Sequence, residues 1–166
     1  MLSPAVRRIV GVDPGLAAAG WGIVDVSGSR LVYVAHGCFT TEARTPRSER
    51  LLSIYTAFKA VLDEYRPTEA AMETLYFAKN VTSAMPVAEA RGVLCLALAE
   101  RGLPVAEYTP MAIKQAVVGR GGAEKAQVQE LVRLILGLAT IPRPDHAADA
   151  LGAAVCRAHD NLPLKV

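Results

Sequence analysis

Asp13 and Glu73 each follow a short apolar run, Ile9-Val10-Gly11-Val12 before one and Ala70-Ala71-Met72 before the other. A buried strand that ends in a carboxylate presents that group where open α/β sheets place their ligand crevice. A third acidic group lies in PRPDHAADALGAA, where Asp145, His146 and Asp149 fall in the first turns of a predicted helix. The later residues of that helix, Leu151, Ala154 and Val155, are small or apolar, so it packs closely on a core while keeping three polar ligand types at one end. Offsets of three and four both share a helical face, and spacing leaves open whether Asp145 or His146 accompanies Asp149. Each group also has a plain structural reading. Asp-Pro-Gly is common turn chemistry, Glu73 fits an exposed strand end, and acids are welcome at a helix N-terminus. Gathered together, however, carboxylates repel one another unless a divalent cation lies between them, so the set points to hard metal ions. Paired ions activate water and stabilise a leaving oxygen in phosphodiester cleavage.

Such a cluster is distant in sequence, and only a fold can assemble it. Residues 7–13 and 20–26 flank a Gly-containing turn, and LVYVAHGCFTT continues as a third β-rich run, which predicts an antiparallel meander. In SERLLSIYTAFKAVLDEYRP the apolar Leu51, Leu52, Tyr55, Phe58, Val61 and Leu62 form one helical stripe, with Ser48 as N-cap and Pro67 as stop. A strand at 69–73, a helix at 82–101 and a brief strand near Val105 follow. Thr109-Pro110 opens a helix, Thr as cap and Pro at the first helical position. Another helix spans 123–136 with Gly137 ending it, and the last begins near Pro144. A mixed sheet with helices packed on it is an α/β layered domain. His36, in a strand, and His159, near a helix end, are read as non-catalytic.

Composition sets the bounds. A chain of 166 residues, 52% of them apolar, buries one sizeable core, and the expectation is one domain over 1–166. A net charge of +2 is nearly balanced and neither requires nor excludes a nucleic-acid partner. Cys38, Cys95 and Cys156 are widely spaced among aliphatic residues, which predicts reduced core thiols and a cytoplasmic location. No apolar segment of about 18 residues occurs, so no membrane association is expected.

The motifs GVDPGLAAAGWGIV, METLYFAKN, YTPMAIKQAVVGRGGAEKAQV and PRPDHAADALGAA together resemble the RuvC family of Holliday-junction resolvases, in order and spacing, from about residue 8 to residue 159. The resemblance implies an RNase H-like fold of the retroviral-integrase superfamily, a mixed five-stranded sheet flanked by helices. It implies endonucleolytic resolution of four-way junctions by paired symmetrical nicks, with two Mg2+ or Mn2+ ions per active site. By motif, Asp13, Glu73 and Asp149 are carried over as catalytic metal ligands, and His146 stands where many members have another Asp. That departure implies a shift toward Mn2+, since imidazole is a softer ligand. Tyr76 is carried over as a wedge against bases, with Lys79 beside it. Lys114 and Lys125, the latter just after the Gly-rich GRGGAEK, are carried over as phosphate contacts.

The resemblance also implies a homodimer and a partnership with a branch-migration complex of the RuvA and RuvB type. The run Gly92-Val93-Leu94-Cys95-Leu96-Ala97-Leu98-Ala99 agrees with the dimer, because a helix apolar all round needs cover on more than one side. Sugar kinases and actin-like ATPases share the strand–Asp–Gly turn–strand opening, but they need two such domains. An RNase H-like nuclease acting on RNA and a catalytically silent junction-binding module are the other readings.

Overall fold

The computed structural model describes residues 6–75 and 81–160. Alternation along the strands decides the layering. In β1 (Arg7–Asp13) the side chains of Val10 and Val12 face one core, and Ile9 faces the other. β2 (Ala18–Ser27) and β3 (Arg30–Thr40) complete the expected antiparallel meander. β4 (Glu69–Glu73) pairs in parallel with β1, and β5 (Val105–Tyr108) pairs in parallel with β4. The order across the sheet is β3-β2-β1-β4-β5, which puts the Asp13 strand at the centre.

One face carries α1 (Arg47–Tyr65) and α2 (Val81–Ala99), whose Ile54, Phe58, Leu94 and Leu98 pack on Val10, Val12, Ala70 and Met72. The other face carries α3 (Pro110–Val118), α4 (Lys125–Ile135) and α5 (Asp145–His159). Thr109 caps α3 as expected, its Oγ1 accepting from the Ala112 N–H at 3.0 Å, with Pro110 in the first turn.

Several boundaries differ from the sequence reading. Ser48 is not the cap of α1; the helix enters from Pro46, whose carbonyl accepts the first turn's bond from the Arg50 N–H at 3.1 Å. Pro46 makes no side-chain cap, but its ring fixes φ at the point where the chain turns into the helix. Arg66 in the left-handed region, φ 48°, closes the helix ahead of Pro67. α4 starts at Lys125 rather than 123, because Glu124 and Gln127 form a reciprocal capping box there.

α5 is the element that matters most for the site. Ala147 to Ala158 are buried along nearly their whole length against β1 and β2. Small residues on both sides permit that approach. A Cβ built on Gly11 would overlap the Ala150 carbonyl, and one on Gly20 would overlap the His146 carbonyl. Gly20→Ala is therefore expected to push the first turn of α5 off the sheet, lowering stability by about 1–3 kcal/mol and Tm by several degrees. Calorimetry that found an unchanged Tm would contradict this packing account. At the far end of α5, Glu69 accepts from Arg7 Nε at 2.7 Å and from Arg157 Nε at 2.6 Å. Burial alone would raise the Glu69 pKa, but the two guanidinium bonds outweigh it and hold the carboxyl below its ordinary value. This ion triad, buried at Glu69 and Arg157 and partly exposed at Arg7, ties β1, β4 and α5 together.

Candidate active site

Asp13 and Glu73 end neighbouring parallel strands. The register pairs Val12 with Met72, so the next residues, Asp13 and Glu73, lie side by side on the face that α5 covers. Asp13 is also the cross-strand partner of Gly20, whose missing Cβ admits the start of α5. The consequence is direct contact: His146 Nδ1 lies 2.7 Å from Asp13 Oδ2. Asp149, one turn further on, takes a hydrogen bond from Lys125 Nζ at 2.9 Å. Asp145 turns outward instead, to Arg143 Nη1 at 2.5 Å and Lys125 Nζ at 3.5 Å. Of the two residues that spacing left open, His146 is the one placed against Asp13.

The electrostatics record crowding. Desolvation raises the Asp13 pKa, the His146 hydrogen bond opposes it, and the Asp149 charge adds to the rise. Glu73 is likewise raised, by desolvation first and then by Asp13 and Asp149, while Lys114 and Lys125 pull the other way. The Lys125 ammonium is held charged above its ordinary pKa by its bond to Asp149. Two lysines thus leave the three carboxylates incompletely neutralised.

That imbalance is what a divalent cation relieves, and the donor set of carboxylate oxygens with one imidazole suits a hard or borderline ion. Among the described residues no three such ligands are close enough together to share an ion. Lys125 occupies Asp149 and His146 occupies Asp13, so two of the three carboxylates already have a partner inside the site.

Three depressions join across this cluster. One of about 250 Å³ is lined by Glu73, Ile113, Lys114, Lys125 and Asp149. A second, of about 150 Å³, is lined by Asp13, Pro14, Glu73, Thr74 and Arg91. A third, of about 410 Å³, takes in Pro14, Arg47, Arg50, Val87 and His146. A separate hollow beside Asp63, Arg66 and Arg101 lies at the opposite ends of the strands, away from every acid of the cluster. Lys114 and Lys125 are thus brought to the cluster, whereas Tyr76 and Lys79 lie outside the described residues.

Sequence reasoning missed Arg47, Arg50 and Arg91. Isolated arginines on helices carry no periodic or motif signal, and only the fold shows which of them border the acids. Arg91 pairs with Glu107 at 2.6 Å and donates to Cys95 Sγ at 3.3 Å. The cysteines are free, but only Cys156 is buried; Cys38 and Cys95 are half-buried. His36 bonds the Tyr33 hydroxyl at 2.9 Å, apart from the cluster.

Comparison with known proteins gives concordant matches. A family model described as crossover junction endodeoxyribonuclease RuvC matches residues 9–157. A crossover junction endodeoxyribonuclease RuvC of Chloroflexus aurantiacus is 55% identical over 152 residues, 92% of this chain and 93% of that one. The Treponema denticola protein of the same description is 55% identical over 90% of this chain and 84% of its own. Among solved structures, Thermus thermophilus RuvC superposes with a TM-score of 0.84 at 37% identity, covering 91% of this chain and 93% of that one. The same protein in complex with Holliday junction substrate gives 0.83 at 35% identity, covering 91% and 92%. A yeast mitochondrial Holliday junction resolvase, at 13% identity and a TM-score of 0.64 over 92% of this chain and 79% of that one, shares the fold.

Proposed function

Because the chain belongs to the RuvC family of crossover junction endodeoxyribonucleases, we propose that it resolves Holliday junctions by hydrolysing one phosphodiester in each of two strands of like polarity. The observation that carries this reading is the convergence of Asp13, Glu73, His146 and Asp149 beside Lys114 and Lys125 at the carboxyl ends of the two central parallel strands. That a Thermus thermophilus RuvC of similar fold holds a Holliday junction supports the substrate.

The family's divalent-metal dependence falls on Asp13, Glu73, Asp149 and His146, which would hold the cations; our reading is two ions, Mg2+ or Mn2+, with Mn2+ favoured by the imidazole. When bound they supply an activated water and charge neutralisation at the phosphate. The chain's own residues do the rest. His146, through Nδ1, orients the Asp13 carboxylate. Lys125 holds Asp149 in the free protein and exchanges that partner for a phosphate oxygen, so the strand enters a cleft that stays close to neutral. Lys114 neutralises the same strand from the wall of the lysine depression. Tyr76 stacks on or between bases of the distorted junction, and Lys79 contacts backbone beside it.

The whole chain, 1–166, acts as one domain in this reading, and two copies form a dimer that offers two active sites to the junction. Supporting the dimer, Met85 and Leu96 are 50% and 55% exposed on one stripe of α2, and Gly92 lies between them with open space above it. A branch-migration complex of the RuvA and RuvB type is the partner that would deliver junctions. No helix among the described residues is long and apolar enough to cross a membrane, and free thiols together with bacterial relatives support a cytoplasmic site of action.

A synthetic four-way junction with each strand labelled in turn tests the reading. Mg2+ or Mn2+ should give paired nicks at symmetrical positions, chelator should stop them, and linear duplex, single strand and RNA should remain intact. Equal cutting of the linear duplex would overturn it.

A further inference from the structure

We propose that Arg47 and Arg50 grip the backbone of the cut strand on the His146 side of the acidic cluster, opposite the lysines, so that the strand is held by cations on both flanks of the reacting phosphate. This rests on the junction-cutting reading above and adds to it a strand path and two substrate contacts. The three depressions form a chain: Glu73 lines both the lysine depression and the middle one, while Pro14 and Val87 line both the middle one and the arginine groove. His146 belongs to the arginine groove, which therefore opens directly onto the cluster. A strand carries one phosphate per 3.4 Å of axis, so a phosphate at the acids has charged neighbours on both sides. The lysines meet only one of those sides.

The groove's chemistry fits a backbone rather than a base. Apart from Arg47, Arg50 and His146 it is lined by the segment from Pro14 to Ala18 and by Pro86 and Val87, none of which has a polar side chain, so its two guanidinium groups are the features a phosphate backbone would meet. Among the described residues no acid lines it. Arg50 donates from Nε to Thr41 Oγ1 at 2.8 Å, and Thr41 Oγ1 donates to the Leu16 carbonyl at 2.5 Å. That relay fixes the guanidinium against the turn that directly follows Asp13, and it uses one of five donors. Arg47 meets Glu89 at 3.3 Å in an ion pair whose side chains are 56% and 31% exposed. Such a pair is weak, and a phosphate offering two oxygens to the planar fork replaces it readily.

Binding of a synthetic four-way junction is measured in chelator across a salt series, with Arg30→Gln as the control for loss of one charge away from the groove. Arg47→Gln should bind about tenfold more weakly, with a salt slope shallower by roughly 0.7–0.9, and Arg47→Lys should recover most of both. Replacing single phosphates near the nick by neutral methylphosphonates should weaken wild-type binding at one position where Arg47→Gln is insensitive. Arg50→Gln should be insensitive there or at the adjacent position. Should Arg47→Gln match Arg30→Gln in affinity and slope, and lose as much as wild type at every methylphosphonate, the inference is overturned while junction cutting stands. Absence of metal-dependent nicking by the wild-type protein would overturn junction cutting and this inference together.

Discussion

Asp13→Asn should abolish nicking of a four-way junction, by roughly 10³-fold or more, while junction affinity is kept or rises and the protein in chelator melts at a higher temperature. The loss of rate follows from removing a central carboxylate where several kcal/mol of transition-state charge stabilisation are supplied. Binding moves the other way because one negative charge leaves a phosphate-binding cleft. Stability follows from the pKa. Desolvation raises Asp13, with Asp149 adding to it against the His146 bond, so the folded state holds the proton more tightly than the unfolded chain. The stability this brings is complete below the unfolded pKa and is lost as pH rises through the folded one. At neutral pH the ionised carboxylate therefore works against the fold, and Asn keeps the shape without the charge. Removing that charge should therefore raise the Tm in chelator at neutral pH. The Tm gain should shrink as pH falls, because Asp13 is then protonated in the folded protein. Loss of junction binding equal to the loss of cleavage, or a lower Tm in chelator at neutral pH, would sink the assignment of Asp13.

What the sequence disclosed, and what it withheld, divides along physical lines. The strands that carry Asp13 and Glu73 were legible because each is a short apolar run ended by one acid, a pattern set by two-sided burial. α5 was legible because its alanines, with Leu151 and Val155, make sense only against a close neighbour. Gly11 and Gly20, read merely as strand residues, turn out to be the places where that neighbour's backbone passes. The cap of α1 was misread at Ser48, since a serine in a first turn and a serine before it look alike in sequence, and the helix in fact starts after Pro46 with no side-chain cap. Pairings across the fold were not legible at all. Nothing in GRGGAEK says that Lys125 will rest on Asp149, and nothing in TPRSER says that Arg47 and Arg50 will border the turn after Asp13. Those contacts depend on how α1 and α4 dock against opposite faces of one sheet, which periodicity does not encode. The resemblance selected His146 rather than Asp145; in the fold His146 contacts Asp13 while Asp145 pairs with Arg143 on the rim, a difference in placement that helical spacing could not supply.

His146→Asp should change the choice of metal rather than end activity. The imidazole meets Asp13 at 2.7 Å as a hydrogen-bonding partner that carries no negative charge. An aspartate there would set a fourth carboxylate against Asp13, Glu73 and Asp149, a cluster in which desolvation and mutual repulsion already raise Asp13 and Glu73. The variant should melt lower in chelator, and Mg2+ should recover more Tm than it does for the wild type, since an ion that binds only the folded state stabilises in proportion to its affinity. With all-oxygen ligands the preference should move from Mn2+ toward Mg2+, by about tenfold in the ratio of nicking rates. His146→Ala, which supplies neither nitrogen nor oxygen, should lose about 10²-fold or more with both metals, because it also frees the Asp13 carboxylate from its orienting bond. Asp145→Asn should change rate by less than about threefold, as its carboxylate serves Arg143 and Lys125 at the exposed rim, where such pairs are worth little. Nicking rates and melting curves for these variants, each taken in chelator, Mg2+ and Mn2+, decide the matter. An unchanged Mg2+-to-Mn2+ ratio in His146→Asp, with Asp145→Asn the more damaging change, would remove His146 from the metal set and put Asp145 in its place.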